Sequence, residues 1–324
     1  MINTVDDLTP FLDTEFAALF SAIPRPMPGP MDVGAARLML DALAKQLRRG
    51  LAGADEVAVE DRQIEGPSGA PPVPLRIYRP KNVQAGADER VLVWIHGGGF
   101  IAGHHQNEDL VAVPWVRASG CTVVSVGYRL APEHRAPAAL DDCLAALHWA
   151  ARAGGLATRA PRKLAIGGMS AGGCLAAGVA LHARDHGGPA LCFQMLLIPV
   201  LDNRHATASM LEFADLRVWN QFKSREAWRM YAGENFLDDL PATTAPARAK
   251  DLRGLPPAFL EIAGVDCLRD EAIEYGLRLT QAGVPTEMHV YPGAFHASTL
   301  IFPGADVSRR AMADATAALT RALG

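Results

Sequence analysis

A single serine, Ser170, lies among glycines in the stretch GMSAG at residues 168–172. A short apolar run at 163–167 precedes it and a run of small residues at 174–183 follows it. This order predicts that the serine occupies a sharp turn between a strand and a helix. The positions two before and two after it must lack bulk, because side chains there would clash across the bend. The helix would direct free N–H groups at a developing negative charge, so the pattern indicates a nucleophilic hydroxyl.

A serine hydroxyl is a poor nucleophile unless a base removes its proton and an acid orients that base. With a serine on this kind of turn, the acid and then the histidine follow later in the chain. Two late histidines, His289 and His296, are candidates for the base. His289 lies within the predicted strand 286–291, where packing is favoured, whereas His296 follows in the loop at the strand's carboxyl end. Sites of parallel sheets collect at such loops, so we take His296 as the base.

Several carboxylates could orient that histidine. Asp266 follows the predicted strand 257–263 directly and is our candidate acid. Asp202 also ends a predicted strand and is the second candidate. Asp270 and Glu271 begin the next predicted helix, where acids are common for reasons unrelated to catalysis.

Three consecutive glycines, 97–99, follow another apolar run in the stretch WIHGGGFIAGH at 94–104. Glycines in a row allow backbone N–H groups to turn inward together. With the N–H of Ala171, the residue after the serine, these groups would hold the oxyanion of a tetrahedral intermediate. His96 would then anchor the loop and would not act as a base.

The glycines also fit two phosphate-binding patterns less well. Gly97 and Gly99 match a dinucleotide fingerprint, which would make the chain a nicotinamide oxidoreductase, but the next predicted strand, 122–126, ends without the required acid. Gly168 and Gly173 have the spacing of a P-loop, yet the lysine and hydroxyl residues of that loop are missing. We therefore expect no bound cofactor.

The sequence gives little support for a metal site or for redox chemistry. His182 and His186 are four residues apart, but their neighbour is Asp185 and two glycines follow at once, which favours a solvated helix end over a zinc site. The five cysteines are scattered without a C-x-x-C pair. They are interpreted as reduced core residues, and no metal is expected.

Elements that could position these residues alternate along the chain. From residue 91 onward, short apolar runs alternate with helical stretches, which favours a parallel sheet covered on both faces. Strands are predicted at 57–64, 75–78, 91–95, 122–126, 163–167, 191–200, 257–263 and 286–291. Helices are predicted at 5–22, 33–49, 107–118, 137–153, 171–186, 269–282 and 305–322. The stretch 203–250, rich in aromatic residues, breaks the alternation and is interpreted as an insertion.

Composition narrows the class of protein. The 324 residues are 49% hydrophobic and 20% charged, a globular balance that allows a sizeable core. A net charge of −4 gives no reason to expect binding to nucleic acid or to an anionic membrane. The first residues lack the pattern of a signal peptide and no apolar run is long enough to cross a bilayer, so a cytoplasmic location is expected.

Taken together, the motifs resemble those of the bacterial hormone-sensitive-lipase-like (family IV) carboxylesterases of the α/β-hydrolase superfamily. The matching stretches are HGGGF, YRLAPEHRAPAALDD, GxSAGG, D-x-L-R-D-E and the late histidine, spread over residues 75–322. The resemblance implies an α/β-hydrolase fold with a mostly parallel eight-stranded sheet, helices on both faces and a helical cap. Residues 1–52 would form the N-terminal cap segment, 53–202 and 251–324 the catalytic core, and 203–250 the cap insertion.

The resemblance also implies roles for individual residues. The second and third glycines of the HGGG box and the residue after the serine form the oxyanion hole in this family, which points to Gly98, Gly99 and Ala171. Members hydrolyse short acyl esters without a cofactor and often dimerise, so the expected partners are a small ester and, in keeping with the family, a second copy of the chain. Four side chains are predicted to line the substrate pocket: Phe100, Met169, Trp219 and Phe222.

Three positions depart from the family pattern. Met169 replaces the usual acidic or small polar residue before the serine, Cys267 the proline after the acid, and Ala297 the glycine after the histidine. These differences bear on the shape of the acyl pocket and on the preferred substrate. The sequence thus predicts a serine carboxylesterase, with the alternative of a non-catalytic ligand-binding member of the fold, such as the plant gibberellin receptor. Such members lose a triad residue, and the presence of His296 favours the enzyme.

Overall fold

β-Branched and apolar residues fill the centre of the protein as short, fully buried strands. The computed structural model describes residues 4–27, 29–81, 90–156 and 160–324. Within these ranges, eight strands form one sheet: β1 Val57–Ile64, β2 Val73–Pro80, β3 Arg90–Ile95, β4 Thr122–Val126, β5 Lys163–Met169, β6 Phe193–Leu197, β7 Ala258–Val265 and β8 Thr286–Phe295. The helices are α1 Thr14–Phe20, α2 Val33–Arg48, α3 Asp109–Ser119, α4 Ala138–Ala151, α5 Ala171–Asp185, α6 Ala208–Glu212, α7 Gln221–Ala232, α8 Arg269–Gln281, α9 Ser298–Ile301 and α10 Asp306–Leu323.

The sheet has the strand order β1-β2-β4-β3-β5-β6-β7-β8. β2 pairs antiparallel with β1 and β4, and the other neighbours run parallel. α3 packs with α10, and α4 packs with α5. The predicted mostly parallel eight-stranded sheet with its covering helices is confirmed. In this order, β5, β6, β7 and β8 present their carboxyl ends side by side, where the loops that carry Ser170, Asp266 and His296 begin.

The core is built on the central strands. All five residues at 91–95 are fully buried in β3, and Trp94 meets Trp115 of α3 edge-on with ring centroids 4.7 Å apart. Burial of such large apolar surfaces is the main favourable term in folding. In the described residues, no helix combines the length and the apolar character that crossing a bilayer requires.

Most predicted elements differ from the observed ones by a few residues at their ends, and two differ more. The helix predicted at 5–22 is a short 3-10 turn, Thr9–Phe11, followed by α1, because Asp13 leaves the helical path and caps α1 by accepting a hydrogen bond from the N–H of Glu15. The strand predicted at 191–200 is confined to β6, since Ile198 turns the chain with φ +41° and Pro199 cannot donate a ladder bond. The division into cap and core segments stays a prediction.

The N-terminal segment docks on the end of β8. Phe16 and Phe20 are fully buried and meet Phe295 edge-on, with ring centroids 5.5 and 5.0 Å apart. The Asp13 N–H donates to the Gly293 carbonyl at 3.1 Å. Because Phe295 directly precedes His296, this packing fixes the backbone that carries the candidate base.

Replacing Phe16 by Ala should lower the free energy of unfolding by about 3–5 kcal/mol, because it empties a fully buried aromatic site. The measurement is urea unfolding followed by circular dichroism. Phe11→Ala is the matched control: this ring is 50% exposed and lies in the same segment, so its loss should cost much less. Equal losses in the two variants would show that the segment does not dock as described.

Candidate active site

Ser170 occupies the turn between β5 and α5. Its backbone has φ +54° and ψ −116°, a conformation that non-glycine residues rarely adopt. Hydrogen bonds hold this conformation: the Ser170 N–H donates to the Leu197 carbonyl at 2.8 Å, and the Val200 N–H donates to the Ser170 carbonyl at 3.1 Å. The side chain is therefore fixed at the carboxyl edge of the sheet.

The glycines around the turn are sterically required. A Cβ atom on Gly168 would collide with the carbonyl oxygen of Gly172, and one on Gly172 would collide with the carbonyl oxygen of Ile95. The first contact crosses the bend, as the sequence pattern predicts. The second sets the distance between the start of α5 and the end of β3. Both positions must be glycine for Ser170 to be presented here.

Ser170, His296 and Asp266 form one hydrogen-bonded line. Ser170 Oγ lies 3.0 Å from His296 Nε2, and His296 Nδ1 lies 2.7 Å from Asp266 Oδ2. With Nδ1–H donating to the carboxylate, Nε2 is free to accept the serine proton. Asp266 Oδ1 accepts a further bond from the Leu268 N–H at 3.1 Å. All three side chains are buried, with residue exposures of 5%, 8% and 3%, so the interactions are shielded from water.

The strand ends explain how these residues meet. Asp266 directly follows β7 and His296 directly follows β8, and the two strands are parallel neighbours.

The other candidates for the base and the acid have different partners. His289 is half-buried on β8 with Nε2 2.9 Å from Glu287, and Asp202 is paired with Arg204 at 2.6 Å.

Asp270 and Glu271 act as acceptors within the fold. Asp270 accepts from the Ser209 N–H at 2.7 Å, and Glu271 accepts from the Leu201 N–H at 2.7 Å. Burial raises the pKa of Glu271 well above its ordinary value.

The glycine loop lies against the serine turn. A Cβ on Gly97 would come within 3.1 Å of the Met169 carbonyl oxygen and 3.6 Å of Ser170 Cβ. Gly98 and Gly99 have φ +120° and +61°, in the region that favours glycine. The loop closes on itself through hydrogen bonds from the N–H groups of residues 101 and 102 to the Gly98 carbonyl. Its backbone is thus in place beside Ser170.

His96 lies under this loop. Its Nδ1 is 2.8 Å from the Gly97 carbonyl oxygen, and its ring stacks on Tyr128 with centroids 4.2 Å apart. The Tyr128 hydroxyl donates to the His96 carbonyl at 3.1 Å. Burial lowers the pKa of His96 to about 3, so the ring is neutral at physiological pH and suits the loop-anchoring role.

Among the four predicted pocket residues, Trp219 lies beside the candidate base, with ring centroids of Trp219 and His296 5.9 Å apart. Phe100 is buried and stacks on Tyr231 with centroids 4.0 Å apart, so its ring packs among core aromatics. Met169 is buried at the end of β5, and Phe222 is 60% exposed on α7. Their roles in a pocket stay predictions.

The structure shows the surroundings or the backbone conformation of two positions that depart from the family pattern. Cys267 is a buried free thiol next to Asp266. Ala297, which follows His296, has φ +61° and ψ +17°, the left-handed conformation that suits glycine.

Sequence reasoning missed Arg37, a residue of α2. Its guanidinium donates to the Ile101 carbonyl at 2.8 Å and forms a bidentate pair with Glu133 at 2.9 and 2.7 Å. It also donates to the Ala131 carbonyl at 3.2 Å. Arg37 therefore ties the N-terminal part of the chain to the glycine loop. A lone arginine on a helix gives no signal of such a distant contact.

Glu261 was also missed. This β7 residue is 4% exposed beneath the loop that carries His296, where it hydrogen-bonds to the Thr299 side chain. Burial raises its pKa to about 7. A glutamate inside an apolar strand was the available signal.

In the described ranges, no group of three or more His, Cys, Asp or Glu side chains is arranged to hold a metal ion.

A folded-state pKa of about 7 against an ordinary 4.5 means that the stability contributed by Glu261 is complete below about pH 4.5 and is lost as the pH rises through 7. Glu261→Gln removes this loss. The difference in unfolding free energy between E261Q and wild type should therefore change by about 2 kcal/mol, in favour of the variant, as the pH rises from about 5 to about 8.

The measurement is urea unfolding across that pH range, with Glu65→Gln, an exposed carboxylate, as the control that should track wild type. Only the pH dependence of the difference is diagnostic, because any constant cost of the amide cancels. A constant difference between E261Q and wild type would contradict the assignment.

Comparison with known proteins shows which proteins this chain is similar to. A family model described as alpha/beta hydrolase fold matches residues 92–300. The chain is 38% identical to the esterase LipI of Mycobacterium tuberculosis over 89% of this chain and 87% of that protein, and 39% identical to the carboxylesterase NlhH of the same organism over 83% and 84%. Among solved structures, a bacterial heroin esterase is 41% identical with a TM-score of 0.90, covering 98% of this chain and all of that one.

Proposed function

We propose, since this chain belongs to the hormone-sensitive-lipase-like family of α/β-hydrolase carboxylesterases, that it hydrolyses its esters through an acyl-enzyme formed on Ser170. The chain is a carboxylic ester hydrolase. The observation that carries the proposal is the unbroken line from Ser170 Oγ through the His296 imidazole to the Asp266 carboxylate. Such a line is what a serine needs to become a nucleophile.

In the acylation half, Ser170 Oγ attacks the ester carbonyl carbon while His296 Nε2 takes the hydroxyl proton. The carbonyl π electrons move to oxygen, and this oxyanion is held by the N–H groups of Gly98, Gly99 and Ala171. Asp266 keeps the proton on Nδ1 and stabilises the imidazolium that forms. The tetrahedral intermediate collapses, the C–O bond to the alcohol breaks, and His296 delivers its proton to the leaving oxygen.

In the deacylation half, a water molecule takes the place of the departed alcohol. His296 Nε2 removes a proton from this water as its oxygen attacks the acyl carbon, and the same N–H groups hold the second oxyanion. The bond to Ser170 Oγ then breaks and the serine recovers its proton from His296. The products are a carboxylic acid and an alcohol, and the protein is returned unchanged.

The alternative function is a ligand-binding protein without turnover. A complete Ser–His–Asp line argues against it, because a binder has no need to align a histidine between a serine hydroxyl and a carboxylate. Covalent labelling of Ser170 by a fluorophosphonate probe would separate the two, since only an activated serine reacts. Dimerisation and a cytoplasmic location stay predictions.

Replacing Ser170 by Ala should reduce kcat/KM for p-nitrophenyl acetate by about 10⁴-fold or more and abolish fluorophosphonate labelling, because the nucleophile is gone. Ser224→Ala is the matched control. Ser224 also bonds a histidine, with Oγ 2.9 Å from His205 Nε2, but it is fully buried and the other ring nitrogen of His205 faces the Asn203 carbonyl. Retained turnover and labelling in S170A would refute the proposed nucleophile.

We further propose that the acyl group is short. Ser170 and His296 are only 5% and 8% exposed, and Trp219 stands beside the histidine, so a long chain would have to displace packed side chains. A relative from Pseudomonas putida, 30% identical over 69% of this chain and 70% of that protein, is named ethyl acetate hydrolase, which agrees with a small substrate.

A series of p-nitrophenyl esters from acetate to laurate tests the chain length. We expect kcat/KM to peak at the short esters and to fall by about tenfold or more at laurate, because the enclosed site has to open for the longer chain. Keeping the substrates below their micelle-forming concentrations separates this effect from substrate aggregation. A peak at decanoate or laurate would contradict the short-chain proposal.

A further inference from the structure

We propose that Trp219 is a specificity-determining residue that selects esters with a planar aromatic alcohol group and donates its indole N–H to an acceptor on that group. This inference rests on the proposed function, since it uses His296 as the group that protonates the leaving alcohol. Three observations support it: the position of the ring, the side of the site on which it lies, and an unpaired donor.

The ring of Trp219 lies between the glycine loop and the candidate base. A Cβ on Gly99 would approach Trp219 Cη2 to 2.6 Å and Cζ3 to 3.0 Å, so the indole rests against the bare backbone of that glycine. The ring of His296 is 5.9 Å away between centroids, at an angle of 31°. Trp219 is thus placed at the edge of the space that an ester bound between Gly99 and His296 would occupy.

The histidine fixes which part of the ester is nearest. His296 returns its proton to the oxygen of the leaving alcohol, so that oxygen and the group attached to it lie beside the imidazole. Trp219 lies next to the same imidazole and is only half-buried. A planar ring on the alcohol side can stack on or against the indole, which an alkyl group of similar size does less well.

The indole N–H of Trp219 is buried and has no acceptor among the described residues. Indole N–H groups only donate, and native proteins seldom leave such a donor unsatisfied. Trp228 and Tyr231 also carry unpaired polar atoms, but both side chains are 1% exposed and pack around Phe100. Trp219 differs because the residue is only half-buried and its ring lies next to His296, where an acceptor on the bound alcohol group could become the missing partner.

Trp219 is also held firmly enough to discriminate. The Asn220 side-chain amide donates to the carbonyls of Asp215 and Val218, and Lys223 Nζ donates to the carbonyls of Leu216 and Val218 at 2.8 and 2.9 Å. These bonds fix the backbone directly before and after the tryptophan. A selective surface needs such support, because a mobile ring would adapt to any alcohol.

The test compares phenyl acetate with cyclohexyl acetate, two esters with rings of similar size of which only the first is planar. We measure the ratio of their kcat/KM values in wild type, Trp219→Phe and Trp219→Leu, so that the intrinsic reactivity of the esters cancels between proteins. The ratio should fall by about 3- to 10-fold in W219L and stay within about twofold in W219F, which keeps an aromatic face. Phe11→Leu, a half-exposed aromatic far along the chain, is the control and should keep the wild-type ratio.

The N–H is tested with the three methoxyphenyl acetates, which place an acceptor at different positions on the ring. At least one isomer should exceed phenyl acetate in wild type by about fivefold, and this advantage should disappear in W219F, which lacks the donor. An unchanged aryl-to-cyclohexyl ratio in W219L overturns the aromatic selectivity. The absence of any isomer advantage that depends on Trp219 overturns the role of the N–H.

Failure of this inference is distinguishable from failure of the proposed function. Fluorophosphonate labelling reports Ser170 reactivity in W219L and W219F independently of the substrate, and it also shows that the variants are folded. If S170A is inactive and the tryptophan variants label normally while their ratios do not change, only the role of Trp219 is wrong. If S170A keeps its activity, the proposed nucleophile is wrong and the role of Trp219, which rests on it, is overturned with it.

Discussion

The close backbone approach at the Ser170 turn is the constraint on which the site depends. Gly168 faces Gly172 across the bend, and Gly172 faces the end of β3, so no side chain fits at either position. This contact brings the start of α5 down onto the sheet and forces Ser170 into a conformation that serine rarely adopts. The neighbouring strand ends then supply the partners, because β7 and β8 deliver Asp266 and His296 to the same edge. The relative positions of the three proposed catalytic residues are therefore determined by the strand order and by the glycines, which have no side chain, at the turn.

His296 is supported from two sides by parts of the chain that lie outside the sheet. On one side, Phe16 and Phe20 of the N-terminal segment hold Phe295, the residue before the histidine. On the other side, Trp219, which lies in the stretch 203–250, contacts its ring. The glycine loop has a comparable brace in Arg37, which reaches it from α2. Segments that contribute none of the proposed catalytic groups thus determine how rigidly those groups are held.

Much of this could be predicted because the signals are local. β1 matches its predicted bounds, and the fold class and family are confirmed, since alternating runs and tight glycine motifs fix the backbone wherever they occur. The structure joins Asp266 rather than Asp202 to His296, although strand-end position alone left both open. Long-range contacts were not predictable: Arg37 meets a loop 64 residues away, and the apolar strand around Glu261 marks this carboxylate without revealing its partner Thr299. The helix expected at 5–22 was wrong in its extent because Asp13 serves as a cap, which hydrophobic periodicity does not reveal.

Ala297 carries a consequence for how the imidazole moves. A methyl group in the left-handed region costs about 1–2 kcal/mol relative to a relaxed backbone, a strain that a glycine at this position would avoid. Its Cβ restricts the peptide after His296 to a narrow range of torsions, so the main chain offers the ring little freedom to pivot. In the proposed mechanism the imidazole has to serve both the serine oxygen and the departing oxygen. We expect the reorientation between these two oxygens to occur through rotation about χ1 and χ2 of the histidine, while its backbone stays in place.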